Sequence, residues 1–194
     1  TLYKSYVLTW LMFLYIFFTD FTAENIFDAF VQSSYNVILS IPVWFLGTFN
    51  RDVSERTLEE HRFLYGTGRR QENLNMKVVL EKAILGLTDV TVIFFLPYVC
   101  FNYDVLGATG NTFGSVVWGT SVYTYFIAVM MIRTATLTCT WTVWTFVGFS
   151  FAIALEIGFL WIYQRGPSIS WGYYGGSSVM IESSPFWLLL FIIP

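Results

Sequence analysis

Most of this sequence consists of long apolar runs that are separated by short polar segments. A helix needs roughly 20 apolar residues to cross about 30 Å of hydrocarbon. Four runs reach that length, and a shorter apolar run stands at each end of the chain. Hydrophobic residues make up 56% of the 194 and charged residues only 12%, a balance that no soluble domain needs. The pattern predicts an all-α, polytopic transmembrane helix bundle.

We predict six membrane helices, of which the first and the last are truncated. They cover Thr1–Phe18, Phe27–Thr48, Lys77–Cys100, Ser115–Arg133, Trp141–Tyr163 and Pro185–Pro194. Because the chain begins and stops inside apolar runs, we expect it to be a fragment of a larger protein, cut at both ends. The prediction divides it into two helices in residues 1–48, a polar loop at 49–76, and four helices in residues 77–194.

The distribution of Lys and Arg predicts which loops face the cytosol, because short cytosolic loops carry an excess of these residues. Six cations lie in or bound the loop between the second and third helices: Arg51, Arg56, Arg62, Arg69, Arg70 and Lys77. An orientation with this loop inside also places Arg133 inside and leaves Arg165 as the only cation in an outside loop. The sequence therefore predicts that residues 49–76 are cytosolic.

Two loops have patterns of their own. In the cytosolic loop, Ser54–Glu60 is typical of a short amphipathic surface helix. In the outside loop, Gly166–Ser178 is rich in Gly, Ser and Tyr, which predicts irregular extended structure.

The polar residues exclude several kinds of site. The net charge is −3 and no basic stripe is present, so we expect no nucleic-acid partner. The sequence has no His or Cys cluster for a metal and no Gly-rich phosphate loop, so we predict neither catalytic residues nor a metal site in this fragment. Cys100 and Cys139 fall near opposite membrane faces, which excludes a disulfide between them.

Ionisable side chains inside lipid are costly, so each is a candidate for a substrate path or an ion pair. Asp89 lies about 12 residues into the third helix, roughly at mid-bilayer. It is either a coordinating or gating carboxylate or a structural Asp that bonds Ser or Thr on a neighbouring helix. Glu156, in the outer half of the fifth helix, either lines a polar path or pairs structurally with an outside loop or with Arg165.

Other candidates have equally simple alternatives. Lys4 belongs either to a substrate path or to an interface that its long side chain reaches by snorkelling. Glu81 and Lys82, in the first turns of the third helix, are expected to be interfacial anchors. Pro42 removes one helical hydrogen bond and frees carbonyl groups that could line a cavity, and the alternative is an ordinary kink.

Several spaced motifs, in order along the chain, are similar to those of one family. Tyr3-Lys4-Ser5 is similar to a Tyr-Lys-Asn motif, and Phe17–Thr22 is similar to the Phe-Phe-x-x-Phe-Ser that ends the same helix. Leu46–Ser54 is similar to Leu-Gly-x-Phe-Asp-x-Asp-Val-Ser, which is the most specific match. Trp118–Thr142 and Ser184–Leu188 are similar to the sequences of later helices of the same family. The chain resembles the type IV P-type ATPases, the phospholipid flippases, from the fifth to the tenth transmembrane helix.

The resemblance implies where a lipid would pass. Residues 1–48 would be lipid-path helices, and residues 77–194 would be support helices. Carried over by position, the substrate path would include Lys4, Ser5 and Asn36 and continue to Pro42. Ser5 stands where the family has Asn, which shortens the reach and removes an amide donor. This difference predicts either a headgroup preference unlike that of the better-known members or weakened transport. The stretch from Asn36 to Pro42 is also one residue shorter than in the family.

The resemblance also implies cofactors and partners. It implies ATP-driven transport of a phospholipid from the outer or lumenal leaflet to the cytosolic leaflet. ATP and Mg²⁺ would be bound by the remaining N-terminal part of the same ATPase and not by this fragment. A two-span accessory β-subunit would contact the outside loops. The protein would be a multi-pass protein of a eukaryotic plasma membrane, Golgi or endosomal membrane.

Two other functions remain open on the sequence alone. One is a flippase-like membrane domain with a structural or sensory role in a larger fused protein, as in some protist guanylyl cyclases. The departures at Ser5 and around Pro42 favour this alternative. The other is an unrelated six-span carrier or channel, with Asp89 and Glu156 lining a pore. An intact Asp-Lys-Thr-Gly-Thr phosphorylation motif upstream of this chain would distinguish the flippase from both.

Overall fold

The computed structural model describes residues 2–22, 25–27, 29–51, 53, 55–61, 75–101, 105–106, 111–112, 114–165 and 176–194. These ranges form α1 (Leu2–Phe18), α2 (Ala29–Phe49), α3 (Glu55–Glu60), α4 (Met76–Phe101), β1 (Val105–Leu106), β2 (Asn111–Thr112), α5 (Ser115–Thr136), α6 (Val143–Arg165), α7 (Gly176–Glu182) and α8 (Ser184–Ile192). The two short strands pair antiparallel in the loop between α4 and α5. The predicted all-α helix bundle is confirmed, with this small hairpin as its one addition in the described ranges.

The helix lengths agree with the predicted membrane spans. Four described helices, α2, α4, α5 and α6, are long and apolar enough to cross a membrane by length and composition. α1 is a shorter apolar helix of 17 residues, and α8 has 9 residues. The four predicted full spans are therefore confirmed as apolar helices of spanning length.

The start of α6 shows why its predicted boundary was two residues early. The Thr142 side chain accepts a hydrogen bond from the Thr145 backbone N–H at 3.4 Å, and the Thr145 hydroxyl oxygen accepts one from the Thr142 N–H at 2.9 Å. This reciprocal arrangement is a capping box, in which the first residue lies outside the helix. Trp141 and Thr142 therefore precede α6 although they continue its apolar run.

The loops differ in how well the sequence predicted them. The surface helix expected at Ser54–Glu60 is present as α3. In the outside loop, α7 begins at Gly176, so the prediction of irregular structure up to Ser178 was wrong for the last three residues. Gly166–Gly175 and the cations Arg62, Arg69 and Arg70 lie outside the described residues.

α5 is the central helix of the bundle and packs against α2, α4, α7 and α8. Its Tyr123, Tyr125 and Phe126 side chains are fully buried. The Tyr123 and Ser34 hydroxyls lie 2.6 Å apart, and the Tyr125 hydroxyl donates to the Phe186 carbonyl oxygen at 3.2 Å. These bonds connect α5 to α2 and to α8, because a buried tyrosine hydroxyl needs a polar partner.

Asn50 connects the end of α2 to the turn between α5 and α6 by hydrogen bonds. Its side-chain oxygen accepts hydrogen bonds from the backbone N–H groups of Cys139 at 2.9 Å and Thr140 at 3.0 Å. The Arg51 N–H in turn donates to the Thr140 hydroxyl oxygen at 3.0 Å. Two of the sequence motifs, Leu46–Ser54 and Trp118–Thr142, thus contact each other directly.

We expect Asn50→Ala to destabilise this end of the bundle by about 1–3 kcal/mol, because two backbone donors lose their acceptor. Asn50→Asp is the matched control, since a carboxylate oxygen can accept the same two bonds. The measurement is the thermal unfolding midpoint of the complete protein in detergent. Equal midpoints for the two variants would contradict this role of the Asn50 oxygen.

Gly119 is required where α5 approaches the chain segment before α2. A Cβ atom at this position would lie 2.5 Å from the Ile26 carbonyl oxygen, which is a backbone atom that cannot rotate away.

We expect Gly119→Ala to lower the unfolding midpoint of the complete protein. Gly158→Ala is the control, because a Cβ atom there meets nothing within 4 Å, and Ala is favoured over Gly in a helix by about 1 kcal/mol. A Gly119→Ala variant as stable as Gly158→Ala would show that the close approach is unimportant.

Candidate functional site

Lys4 is buried between α1 and α2 and does not reach an interface. Its ammonium group donates hydrogen bonds to the Ser40 hydroxyl oxygen at 3.2 Å and to the Asn36 backbone carbonyl oxygen at 3.4 Å. The same group lies 5.4 Å from the centre of the Tyr35 ring, within the range of a cation–π contact. Only 9% of the residue is exposed. Lys4 thus contacts α2 directly, and its role in a substrate path stays a prediction.

Ser5 joins the same contact between the two helices. The Ser5 and Tyr35 hydroxyl oxygens lie 3.4 Å apart. Ser40 also donates from its hydroxyl to the Asn36 carbonyl oxygen, so this oxygen accepts from both Ser40 and Lys4. The structure thus brings together Lys4, Ser5 and Asn36, three of the four residues that the sequence suggested for a substrate path.

An exposed polar stripe runs along α2 beside Lys4. Ser33, Asn36 and Ser40 are all exposed, and their spacing of three and four residues places them on one helix face. We call these three residues the α2 stripe. Within the described part of the chain, the Asn36 side-chain amide makes no hydrogen bond, so it is available to an outside ligand. Polar groups on the outer face of an apolar helix are unusual and favour a function.

A cavity of about 410 Å³ opens beside Lys4, between α1, α2, α4 and α5. Three cationic side chains, Lys4, Lys82 and Arg133, take part in its lining. The apolar part of the lining comes mainly from Leu39, Val43, Leu46, Leu85, Met130 and Leu137. Cations beside an apolar wall suit an amphiphile with an anionic headgroup.

Pro42 does not contribute to this lining. It is buried inside α2, and the helix continues through it from Ala29 to Phe49. The cavity is lined instead by its neighbours Leu39, Val43 and Leu46. The role that the sequence suggested for Pro42 stays a prediction.

The buried Asp89 is the centre of a polar cluster, which we call the Asp89 cluster and which also contains the half-buried Tyr3 and Arg133. Arg133 binds both carboxylate oxygens, with Nη2 at 2.7 Å from Oδ1 and Nε at 3.1 Å from Oδ2. The Tyr3 hydroxyl donates to Oδ2 at 2.7 Å. The carboxylate is therefore paired and hydrogen-bonded, as burial of a charge requires.

The partner predicted for Asp89, a Ser or Thr, was wrong. Arg133 lies in the last turn of α5, and the sequence argument used it only to orient the loops. The sequence did contain a signal for this pair, namely one anion and one cation in neighbouring apolar runs. A cation stabilises a carboxylate in a membrane helix more than a hydroxyl group does.

The Asp89 cluster also positions Lys4, because Tyr3 directly precedes it in the chain. α1 lies close against α4 at this point, where Gly86 leaves room for two aromatic rings. A Cβ atom at Gly86 would be 2.9 Å from Tyr6 and 3.3 Å from Tyr3. α1 is therefore held on its α4 side by Tyr3 and Tyr6, while Lys4 reaches across to α2.

Glu156 differs from Asp89 in having no partner in the described part of the chain. It is 6% exposed, and both of its carboxylate oxygens are buried without a hydrogen bond to a described residue. The side chain of Arg165 lies outside the description, so their pairing stays a prediction. Glu81 and Lys82 are exposed in the first turns of α4, in agreement with a role as anchors.

The described residues contain no group of three or more His, Cys, Asp or Glu side chains that could hold a metal ion. The contacts of Lys4 show a site that acts by hydrogen bonds and charge. It can bind a polar group in a mostly apolar environment and release it again.

The whole chain, residues 1–194, matches the family described as "Phospholipid-translocating P-type ATPase C-terminal". The chain belongs to this family. It is 29% identical over 196 residues to the phospholipid-transporting ATPase C887.12 of Schizosaccharomyces pombe, which is 99% of this chain and 16% of that protein. It is 26% identical over 197 residues to the phospholipid-transporting ATPase DRS2 of Saccharomyces cerevisiae, covering 99% of this chain and 14% of that protein.

A mammalian relative is similar to the same extent. The phospholipid-transporting ATPase IH of Mus musculus is 27% identical over 200 residues, which is 98% of this chain and 16% of that protein. This phospholipid-translocating ATPase region thus spans about a sixth of the length of its curated relatives. With four apolar helices of spanning length, it is part of a multi-pass membrane protein.

We expect Asp89→Asn to destabilise the complete protein by about 2 kcal/mol, because Arg133 loses a charged partner. Arg133→Met should cost a similar amount, since it leaves the Asp89 carboxylate buried and unpaired. The double variant should cost less than the sum of the two single variants, because no unpaired charge remains. Thermal unfolding of the four proteins in detergent gives the coupling, and Thr88→Ala on the exposed side of α4 is the control. Strict additivity would contradict the ion pair.

Proposed function

We propose that this chain is the lipid-handling and supporting part of the membrane domain of an ATP-driven phospholipid flippase. The headgroup passes along the α2 stripe beside Lys4, from the outer or lumenal leaflet toward the cytosolic leaflet. The observation that supports this most is the juxtaposition of the buried Lys4 ammonium with the exposed polar face of α2. Family membership supports the transport of phospholipid.

The α2 stripe has the chemistry that a headgroup needs. A phosphate that crosses hydrocarbon loses its water, so it needs donors along its route. The Asn36 amide can donate to it directly, and the Ser33 and Ser40 hydroxyls can donate once they turn away from the backbone carbonyl oxygens to which they now donate. The acyl chains remain in lipid. Lys4 supplies a positive charge at the level of Asn36 and Ser40, with which it is already in contact.

Ser5 is the residue by which headgroup preference would differ from other members. Its hydroxyl lies 3.4 Å from that of Tyr35. An Asn at this position, as in the family motif, would reach further and add an amide donor. We propose that Ser5 leaves more room and fewer donors beside Lys4. Pro42 acts only indirectly in this proposal, through the α2 backbone on which Asn36 and Ser40 stand.

ATP, Mg²⁺ and the accessory subunit complete the proposal outside this chain. The described residues contain no cluster of metal ligands, so we assign ATP and Mg²⁺ to the N-terminal part of the same ATPase. ATP hydrolysis there would drive the conformational change that moves the headgroup. A two-span β-subunit on the outer side is the expected partner, by resemblance to the family.

A flippase-like domain without transport activity is the second candidate. The change to Ser5 favours it, because a motif residue beside Lys4 has lost its amide. The family match, in contrast, removes the alternative of an unrelated six-span carrier or channel. A complete protein that does not hydrolyse ATP in the presence of any phospholipid would support the structural or sensory role.

We expect Lys4→Ala to reduce phospholipid-stimulated ATP hydrolysis by the complete protein about tenfold, because a charge-assisted hydrogen bond to the phosphate is lost. Asn36→Ala should reduce it about fivefold, since one neutral donor is removed. Val37→Ala is the matched control, because it shortens an adjacent exposed side chain of α2 without removing a polar group. ATP hydrolysis and flipping of a labelled phospholipid in vesicles are both measured. Unchanged rates in Lys4→Ala and Asn36→Ala would refute the proposed path.

A further inference from the structure

Two successive residues at the start of α1 bind different helices. The Tyr3 hydroxyl donates to the Asp89 carboxylate of α4, and the Lys4 ammonium donates to the Ser40 hydroxyl oxygen of α2. An α-helix has about 3.6 residues per turn, so the two side chains leave α1 roughly 100° apart. Because they share one stretch of helix backbone, a rotation or a shift of α1 moves both of them. The contacts that fix Tyr3 therefore also fix where Lys4 can reach.

The hydrogen bonds of Tyr3 and Lys4 differ in length. The Tyr3 hydroxyl oxygen lies 2.7 Å from Oδ2 of Asp89, whereas the Lys4 ammonium lies 3.2 Å from the Ser40 hydroxyl oxygen and 3.4 Å from the Asn36 carbonyl oxygen. A hydrogen bond to a carboxylate is short and about twice as strong as one between neutral groups. The two Lys4 distances are at or beyond the usual upper limit for an N–H···O bond. Lys4 can therefore exchange its partners for a phosphate oxygen while Tyr3 keeps its own.

The acceptor of the Tyr3 hydrogen bond is itself fixed from α5. Arg133 binds Oδ1 of Asp89 through Nη2 at 2.7 Å and Oδ2 through Nε at 3.1 Å. Two bonds from one guanidinium group hold a carboxylate both in position and in orientation. The carboxylate cannot follow α1 if that helix moves, so Tyr3 is attached to a fixed point between α4 and α5.

Apolar packing alone would not hold α1 at this height. α1 packs along α4, where a Cβ atom at Gly86 would lie 2.9 Å from the Tyr6 ring and 3.3 Å from the Tyr3 ring. Such contacts bring two helices together, but apolar contact is not directional, and lipid offers the same contact to a helix that has shifted. The Tyr3 hydrogen bond is directional, so it sets the rotation and the height of α1 against α4.

We infer that Tyr3 is a positioning residue for the binding of the phospholipid headgroup. Through its bond to Asp89, the Tyr3 hydroxyl holds Lys4 at the level of the α2 stripe. The helices α4 and α5 thereby influence the affinity of the α2 stripe for a headgroup. The Tyr3 hydroxyl itself donates to Asp89 and does not bind the lipid. This inference rests on the proposed function, because it requires Lys4 to bind the phosphate.

Phospholipid titrations of ATP hydrolysis by the complete protein test this inference. We expect Tyr3→Phe, which keeps the ring beside Gly86, to raise the KM for phospholipid about fivefold and to change kcat less than about twofold. Lys4→Ala should raise the same KM. In the Lys4→Ala background, Tyr3→Phe should change nothing further, because no ammonium group is left to position. A Tyr3 hydroxyl that contacted the lipid directly would instead add its own loss to that of Lys4→Ala.

Two controls separate positioning from a loss of stability. Tyr6→Phe removes a hydroxyl from the other ring beside Gly86, and this hydroxyl makes no hydrogen bond to a described residue. Asn50→Ala removes two hydrogen bonds between the end of α2 and the turn that follows α5. Both controls should keep the wild-type KM, and the thermal unfolding midpoint of every variant is measured alongside.

Each outcome decides one of the two proposals. A KM that rises in Lys4→Ala but not in Tyr3→Phe would overturn the inference and leave the proposed path in place. Additive increases in the double variant, or an equal increase in Tyr6→Phe or Asn50→Ala, would also overturn the inference. A wild-type KM and rate in Lys4→Ala would overturn the proposed path and the inference that rests on it.

Discussion

The ion pair between Asp89 and Arg133 is the interaction on which the arrangement of the first helix depends. A carboxylate buried among membrane helices requires a cation or several donors, because hydrocarbon offers neither. Asp89 has both, since Arg133 binds its two oxygens and Tyr3 donates to one of them. α1, α4 and α5 therefore meet at a single carboxylate. Lys4, one residue beyond Tyr3, is held where it can reach α2.

The two ends of α1 consequently have different chemistry. At the end that begins with Tyr3, charged and polar groups of α1, α4 and α5 line a cavity of about 410 Å³, to which α2 adds apolar side chains. At the end near Tyr15, the described lining of a smaller cavity of about 210 Å³ is mainly aromatic. The first environment favours an anionic group, whereas the second is mainly aromatic. One helix thus connects two cavities whose linings differ in chemistry.

The sequence predicted the spans well and the contacts between them poorly. Four full spans were found because the length of an apolar run is a local property. The ion-pair partner of Asp89 was missed. Arg133 lies 44 residues away in the chain, and the sequence argument used it only to orient the loops. The start of α6 was predicted too early because Trp141 is apolar and continues the apolar run. The reciprocal hydrogen bonds between Thr142 and Thr145 form a capping box, so the helix begins only after Thr142. The motif argument correctly grouped Lys4, Ser5 and Asn36, although it could not say that Ser40 completes the group.

What the sequence by itself determined is the membrane bundle, the expected direction of its loops and the family to which it belongs. These follow from composition, from loop charges and from ordered motifs, which need no knowledge of packing. Only the tertiary structure decided that Lys4 faces α2, that Asp89 pairs with Arg133, and that six aromatic side chains enclose one cavity. The physical reason is that lipid is as apolar as the helix core, so hydrophobicity does not distinguish the face that is buried from the face that is exposed. A few hydrogen bonds, an ion pair and close contacts at small residues determine which face of each helix is buried. These contacts join residues that are far apart in the chain.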